Sequence, residues 1–264
     1  MGKLIMAIDQ GTGGTKTVLF NAQGEVVGKA AVPLQSVYPQ VGFVEQDPLD
    51  IFENVLRSVR QCVAAASRVD PQAPERLAAV GISNQRETFL LWDGGGTPIC
   101  NAVVWQCKRS VPICEGLKGT NVEAEVRVRT GLIVDPYFSG AKLTWLLENT
   151  PSIRDGVKSG QVCFGTVDTW ILFKLTGGAS YCTDYTNASR TLLFNIHSLS
   201  WDDTLIEAFG ATGLRLPEVF PSSHAFGESD FESLFPKPVP IAGMIGDSHA
   251  AAFGEGCFQP GEAK

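Results

Sequence analysis

The sequence predicts an α/β fold built on an open sheet, and three observations predict it. A glycine-rich turn joins two short apolar strands at the start of the chain. A capped amphipathic helix then leads into a buried strand that ends in polar residues. Near the other end, a strand runs through Gly246-Asp247 into a helix. Strand, helix and parallel strand, with polar residues at the strand ends, is the arrangement in which open sheets place their sites.

The elements follow in order. The apolar run Leu4 to Ile8 reads as a central strand. Residues 3–9, 15–21 and 25–32, separated by short turns, form an antiparallel meander. Asp47-Pro48 starts a helix, with Asp as cap and Pro at the first helical position. Phe52, Val55, Leu56, Val59 and Val63 recur at helical spacing and carry that helix to about residue 66. Residues 77–82 form a buried strand that delivers Ser83-Asn84-Gln85-Arg86-Glu87-Thr88 at its end. Residues 89–92 return as a strand, Asp93-Gly94-Gly95-Gly96 turns, and 101–105 come back. Residues 139–148 are a helix, Thr166 and Asp168 cap another, and 239–245 form a last strand. The closing Gly261-Glu262-Ala263-Lys264 reads as a linker cut short.

Composition narrows the class of function. The chain has 264 residues, 44% of them hydrophobic and 19% charged, as in ordinary globular proteins. A net charge of −7 argues against nucleic acid or an anionic membrane as partner. No apolar run approaches a membrane span, and Met1-Gly2-Lys3 shows neither a secretory core nor the Ser/Thr spacing of a myristoylation signal. The seven cysteines form no Cys-x-x-Cys pair, which fits scattered reduced thiols in a cytoplasmic enzyme better than zinc. His197, His224 and His249 have no metal-ligand spacing and read as structural or solvent-facing.

Three groups of residues carry candidate chemistry. In Asp9-Gln10-Gly11-Thr12-Gly13-Gly14-Thr15-Lys16 a carboxylate precedes bare backbone amides. Such a turn can cradle phosphate while Asp9 holds magnesium directly or through water. The competing reading is an ordinary hairpin. It is no Walker A loop, because no Gly-Lys-Ser/Thr closes it before a helix. Second, Asp247 at a strand-to-helix junction is a candidate general base, against the plainer reading of a helix cap. Ser248-His249 lacks a nucleophile elbow and is no hydrolase motif. Third, Arg86-Glu87 offers a donor fork beside an acceptor pair, suited to gripping vicinal hydroxyls. Trp105 or Tyr137 would cover the C–H face of a small polyol. Taken singly, these are a surface ion pair and core aromatics.

Together, Asp9-Gln10-Gly11-Thr12, Asn84-Gln85-Arg86-Glu87-Thr88, Val104-Trp105-Gln106, the run from Tyr137 through Ser139-Gly140-Ala141-Lys142 to Asn149, and Gly246-Asp247 resemble the FGGY carbohydrate kinases. Order and spacing are most similar to the members that phosphorylate glycerol. The resemblance implies a ribonuclease H-like (actin/hexokinase-like ATPase) domain, a five-stranded mixed sheet with helices on both sides. It implies ATP-dependent phosphorylation of a terminal polyol hydroxyl, with ATP and Mg2+ as cofactors. By motif, Asp9 falls near magnesium, and Thr12, Gly13, Gly14 and Lys16 near the phosphates. Arg86, Glu87, Trp105, Tyr137 and Asp247 fall on the polyol pocket, with Asp247 as the base. Residues 1–254 correspond to the family's first domain and 255–264 to the start of a link to a nucleotide-binding domain, which would be a partner. A homodimer is left open.

Two departures bear on the substrate. Members acting on glycerol usually read Trp-Gln-Asp-Arg-Arg where this chain has Trp105-Gln106-Cys107-Lys108-Arg109, and usually follow the base with Gln rather than Ser248. One rival reading is therefore a kinase for another polyol or sugar such as erythritol or xylulose; a second, suggested by the linker-like ending, is a non-catalytic actin-like sugar-binding or regulatory module.

Overall fold

Alternation of side chains along the strands sets up the main sheet. In the computed structural model, which describes residues 2–264, β1 (Leu4–Gly11) buries Leu4, Met6 and Ile8 and turns Ile5, Ala7 and Asp9 to the other face. Met1 lies outside the described residues. β2 (Gly14–Phe20) and β3 (Val26–Pro33) complete the expected meander. Helix α1 (Pro48–Ser67) begins where the sequence signals it, with the Asp47 carboxylate accepting from Leu49 N. Its buried stripe, Ile51, Val55, Leu56, Val59 and Val63, packs on the face carrying Leu4, Met6 and Ile8.

The chain then returns as β4 (Leu77–Asn84), parallel to β1. β5 (Phe89–Asp93) turns off into a second, four-stranded sheet. After α2 (Ser139–Asn149) come β6 (Val162–Thr166), α3 (Val167–Leu175) and the short α4 (Tyr185–Ala188). β7 (Ser223–Ser229) and β8 (Val239–Gly246) precede α5 (Asp247–Gly254). The main sheet has the order β7-β8-β4-β1-β2-β3. The β1–β4 and β4–β8 pairings are parallel, while the β1–β2, β2–β3 and β7–β8 pairings are antiparallel, so the sheet is mixed.

Several details differ from the expectations set by the sequence. The sheet has six strands, because β7 adds antiparallel to β8 at an edge. α1 and α3 share the core on one face, while along β1 the opposite face stays open, Ile5 being 55% exposed. Of residues 101–105 only Ala102–Val103 are a strand. Thr166 does not cap α3 with its side chain; its hydroxyl donates to Asp168 Oδ1 at 2.5 Å instead. β5 and β6 lack alternation because they divide two cores. Leu90 and Trp92 face the α1 side, while Phe89, Leu91 and Phe164 face the α2 side.

Candidate active site

The carboxyl ends of β1, β4 and β8 lie side by side. Asp9 is level with Ser83 in β4, and Ser83 is level with Ile245 in β8; one rung further, Gln10, Asn84 and Gly246 align. Two strand spacings put the Asp9 and Ile245 backbones about 10 Å apart, and Asp247 follows two residues later. The two acidic positions thus sit at one end of the sheet, in two adjoining recesses divided by the hairpin tip.

The first recess, about 380 Å³, is lined by Asp9, Gly11, Gly13, Gly14 and Lys16, with Ala31 and Pro33 behind them. Asp9 and Lys16 are cross-strand partners on the open face. Ser83 Oγ donates to Asp9 Oδ1 at 2.8 Å and fixes the carboxylate. Thr12 and Gly13 form a two-residue loop between paired Gly11 and Gly14. Gly14 is obligatory: its φ is +151° and a Cβ there would lie 2.3 Å from the Val32 carbonyl oxygen. Backbone amides, one cation and one carboxylate in a shallow open recess suit a hydrated cation and a polyanion. Among the described residues there is no cluster of three or more His, Cys, Asp or Glu side chains able to cage a metal.

The second recess, about 110 Å³, is lined by Thr12, Gln85, Arg86, Glu87, Trp105, Tyr137, Asp247 and Ser248. Every residue assigned by motif to the polyol pocket is there. Thr12, assigned to the phosphates, turns its hydroxyl this way instead: it accepts from Trp105 Nε1 at 2.8 Å and donates to Gln85 Oε1 at 3.1 Å. Arg86 Nε donates to Asp247 Oδ1 at 3.2 Å. Trp105 and Tyr137 meet edge to face, centroids 5.4 Å apart, and make the aromatic wall.

Glu87 is buried and held in the left-handed region, φ 61°, which is costly for a residue with a side chain. Ser139 Oγ, at the start of α2, donates to its carbonyl at 2.8 Å and holds it there. Burial raises the Glu87 pKa, and the charge of Arg190, whose Nε donates to Oε1 at 2.6 Å, opposes the rise. Burial also raises the Tyr137 phenol, with the Glu87 charge adding to it. Behind Tyr137, Lys142 is fully buried and donates to the carbonyls of Pro136 and Tyr137 at 3.0 and 2.6 Å. Desolvation lowers its pKa to about 7.

Arg190, Gln85 and Lys142 carry no sequence signal for the roles they take here. Arg190 is 103 positions from Glu87, and nothing local marks it. Gln85 stands in a motif, but besides Thr88 three residues on, its role needs three distant partners: Gln10, Thr12 and Gln46. His249, read as structural or solvent-facing, is exposed but has Nδ1 3.4 Å from Arg86 Nη1; burial and then the Arg86 charge lower its pKa.

A mixed sheet with carboxylates at the ends of its parallel strands, beside a glycine hairpin, defines a ribonuclease H-like domain of the actin and hexokinase type. The family model for the FGGY family of carbohydrate kinases, N-terminal domain, matches residues 4–254, and the chain belongs to this family. It is 44% identical over 263 residues to glycerol kinase 2 of Thermotoga maritima, covering 99% of this chain and 52% of that protein. It is 47% identical over 261 residues to glycerol kinase of Leptothrix cholodnii, covering 98% of this chain and 52% of that protein. Among solved structures it resembles that of Plasmodium falciparum glycerol kinase with ADP. The TM-score is 0.90 and the identity 30%, covering 99% of this chain and 52% of that one. The chain spans about half the length of the curated relatives it matches.

Proposed function

We propose that this chain is the polyol-binding and general-base part of a cytoplasmic kinase that phosphorylates a terminal hydroxyl of glycerol with ATP, giving sn-glycerol 3-phosphate. The observation that carries the reading is the small recess in which Arg86, Glu87, Trp105, Tyr137 and Asp247, from four distant segments, converge beside the hairpin of Asp9. Residues 1–254 would form the first domain, and 255–264 would begin the link to a nucleotide-binding domain.

The residues divide the work. Arg86 donates to, and Glu87 accepts from, neighbouring hydroxyls, while Trp105 and Tyr137 cover the carbon face. Asp247, at the exposed mouth, accepts the proton of the hydroxyl that attacks the terminal phosphate in line. The Gly13 and Gly14 backbone and Lys16 receive the phosphates, Lys16 as a point charge rather than a fork. Asp9 would hold Mg2+, directly or through water. A single carboxylate fits, because Mg2+ keeps several waters and shares its shell with substrate phosphates. When bound, the ion would neutralise charge on the transferring group. The seven free cysteines agree with a reducing compartment, and no helix among the described residues is long and apolar enough to cross a membrane.

In a protein extended to the length of its relatives, Asp247→Ala should abolish ATP-dependent turnover and leave glycerol affinity within a few fold. Retained turnover would refute the assignment. One observation favours a second reading, a larger polyol or a sugar such as erythritol or xylulose. A neighbouring recess of about 270 Å³ shares Trp105 and Tyr137 and includes Cys107, while Ser248 lines the small one. A substrate panel decides, since a site with buried polar groups rejects mismatched hydroxyls strongly.

A further inference from the structure

Behind the strand ends lies a buried polar bracket that the proposed chemistry does not use. Asp184, the N-cap of α4, is fully buried. Its Oδ1 accepts from the backbone and side-chain amides of Asn187 at 3.0 and 2.8 Å. Its Oδ2 accepts from Thr186 Oγ1 at 2.7 Å and Ser222 Oγ at 2.6 Å. The Asn187 side chain is paired with that of Asn84, at 2.9 and 3.2 Å, at the last residue of β4 before Gln85-Arg86-Glu87. Because the Thr186 hydroxyl hydrogen is committed to Asp184, its oxygen is free to accept, and it takes the Gly246 N–H at 2.7 Å. Arg190, at the other end of the same short segment, holds Glu87. Residues 184–190 therefore tie down the end of β4, the Glu87 carboxylate and the residue before Asp247.

The tie to Gly246 matters because α5 has little else to fix it. None of its residues is buried, and its N-cap Gly246 has no side chain to cap it. Among the described residues, the Asp247 carboxylate at its start accepts, apart from Arg86, only from the adjacent Ser248 N–H, at 2.6 Å. Asp247 is 48% exposed in its side chain, and its ion pair is with Arg86, a residue that must also serve the substrate. Resting on the kinase reading, we propose that Thr186, oriented by Asp184, is a positioning residue that fixes the carboxylate of Asp247 against the polyol hydroxyl through the Gly246 amide. Thr186 does not line the polyol recess, so its loss should act on proton transfer and not on polyol binding.

Thr186→Val keeps the volume and removes the acceptor, while Thr186→Ser keeps the hydroxyl. In this chain, hydrogen exchange of the Gly246 amide should accelerate at least tenfold in Thr186→Val and stay near the parent rate in Thr186→Ser, with glycerol affinity by calorimetry within twofold in both. In the extended protein, kcat per folded molecule should fall tenfold to a hundredfold in Thr186→Val, the scale of an ångström-sized misplacement, with glycerol KM little changed. Thr186→Ser should recover it. If Thr186→Val does not fold, Thr186→Ala carries the same readouts. Parent-like exchange at Gly246, or a drop in kcat that Thr186→Ser does not rescue, overturns the proposal. Retained turnover in Asp247→Ala would strike the base assignment instead, and the exchange rate at Gly246 would still test the bracket separately.

Discussion

Gly246 is the position where one methyl group tests the geometry of the site. Its backbone, φ −63° and ψ 140°, is open to any residue, so alanine introduces no backbone strain. The space is what forbids it: a Cβ would lie 2.3 Å from Arg86 Cδ, 2.7 Å from Cγ and 3.3 Å from Nε. Carbon atoms pack at about 3.5 Å or more, so the Arg86 side chain must move by about 1.2 Å. Its bond to Asp247 is already 3.2 Å long, and such a shift breaks it. If Arg86 also grips the polyol, the displaced guanidinium forfeits a charge-assisted hydrogen bond worth about 1.5–3 kcal/mol. Arg86 is 11% exposed but faces a half-exposed partner, which favours the lower end of that range. Glycerol affinity of Gly246→Ala, measured by calorimetry on this chain, should therefore fall roughly tenfold to a hundredfold, with the thermal midpoint nearly unchanged. Combined with Arg86→Ala, the alanine at 246 should add little, because both remove one contact. A folded Gly246→Ala protein with parent-like affinity, or additive losses in the double variant, would refute the reasoning.

The remaining predictions concern stability. Asp168 is fully buried; desolvation first, and the charge of Asp184 second, raise its pKa from 3.8 to about 7. Between those values the folded state binds more protons than the unfolded state, so this group's contribution to stability falls as pH rises, by about 1.4 kcal/mol per unit. Urea unfolding of Asp168→Asn should show an advantage over the parent that grows from about pH 4 to pH 7 and then levels; a difference that does not vary with pH would refute this. Gly14→Ala should lower stability by at least about 1–3 kcal/mol, since its Cβ would meet the Val32 carbonyl and its φ is positive. Parent-like unfolding would show that the hairpin relaxes without resistance.

Local signals were legible in the chain. The meander, the Asp47-Pro48 helix start and the strand-to-helix junction at Gly246-Asp247 follow from alternation, capping and glycine placement, which act within a few residues. The residues that the resemblance assigns to a polyol pocket can be named from the sequence, and the structure brings them to one recess. What lay beyond reach was partnership across long separations. Arg190 finds Glu87, Asp184 reaches Gly246 through Thr186, and Gln85 ties Thr12 to β1 and to Gln46, through hydrogen bonds that mostly span dozens of positions.

By itself the sequence determined where strands and helices begin and which side chains stand at their ends, because neighbours a few residues apart settle those choices. Only the tertiary structure decided that β7 extends the sheet to six strands and that Thr12 turns its hydroxyl to Trp105. It alone also decided that Asp184 is tied through Thr186 to the Gly246 amide. Those outcomes depend on side chains meeting across strands and between segments, and a linear pattern carries no record of who meets whom.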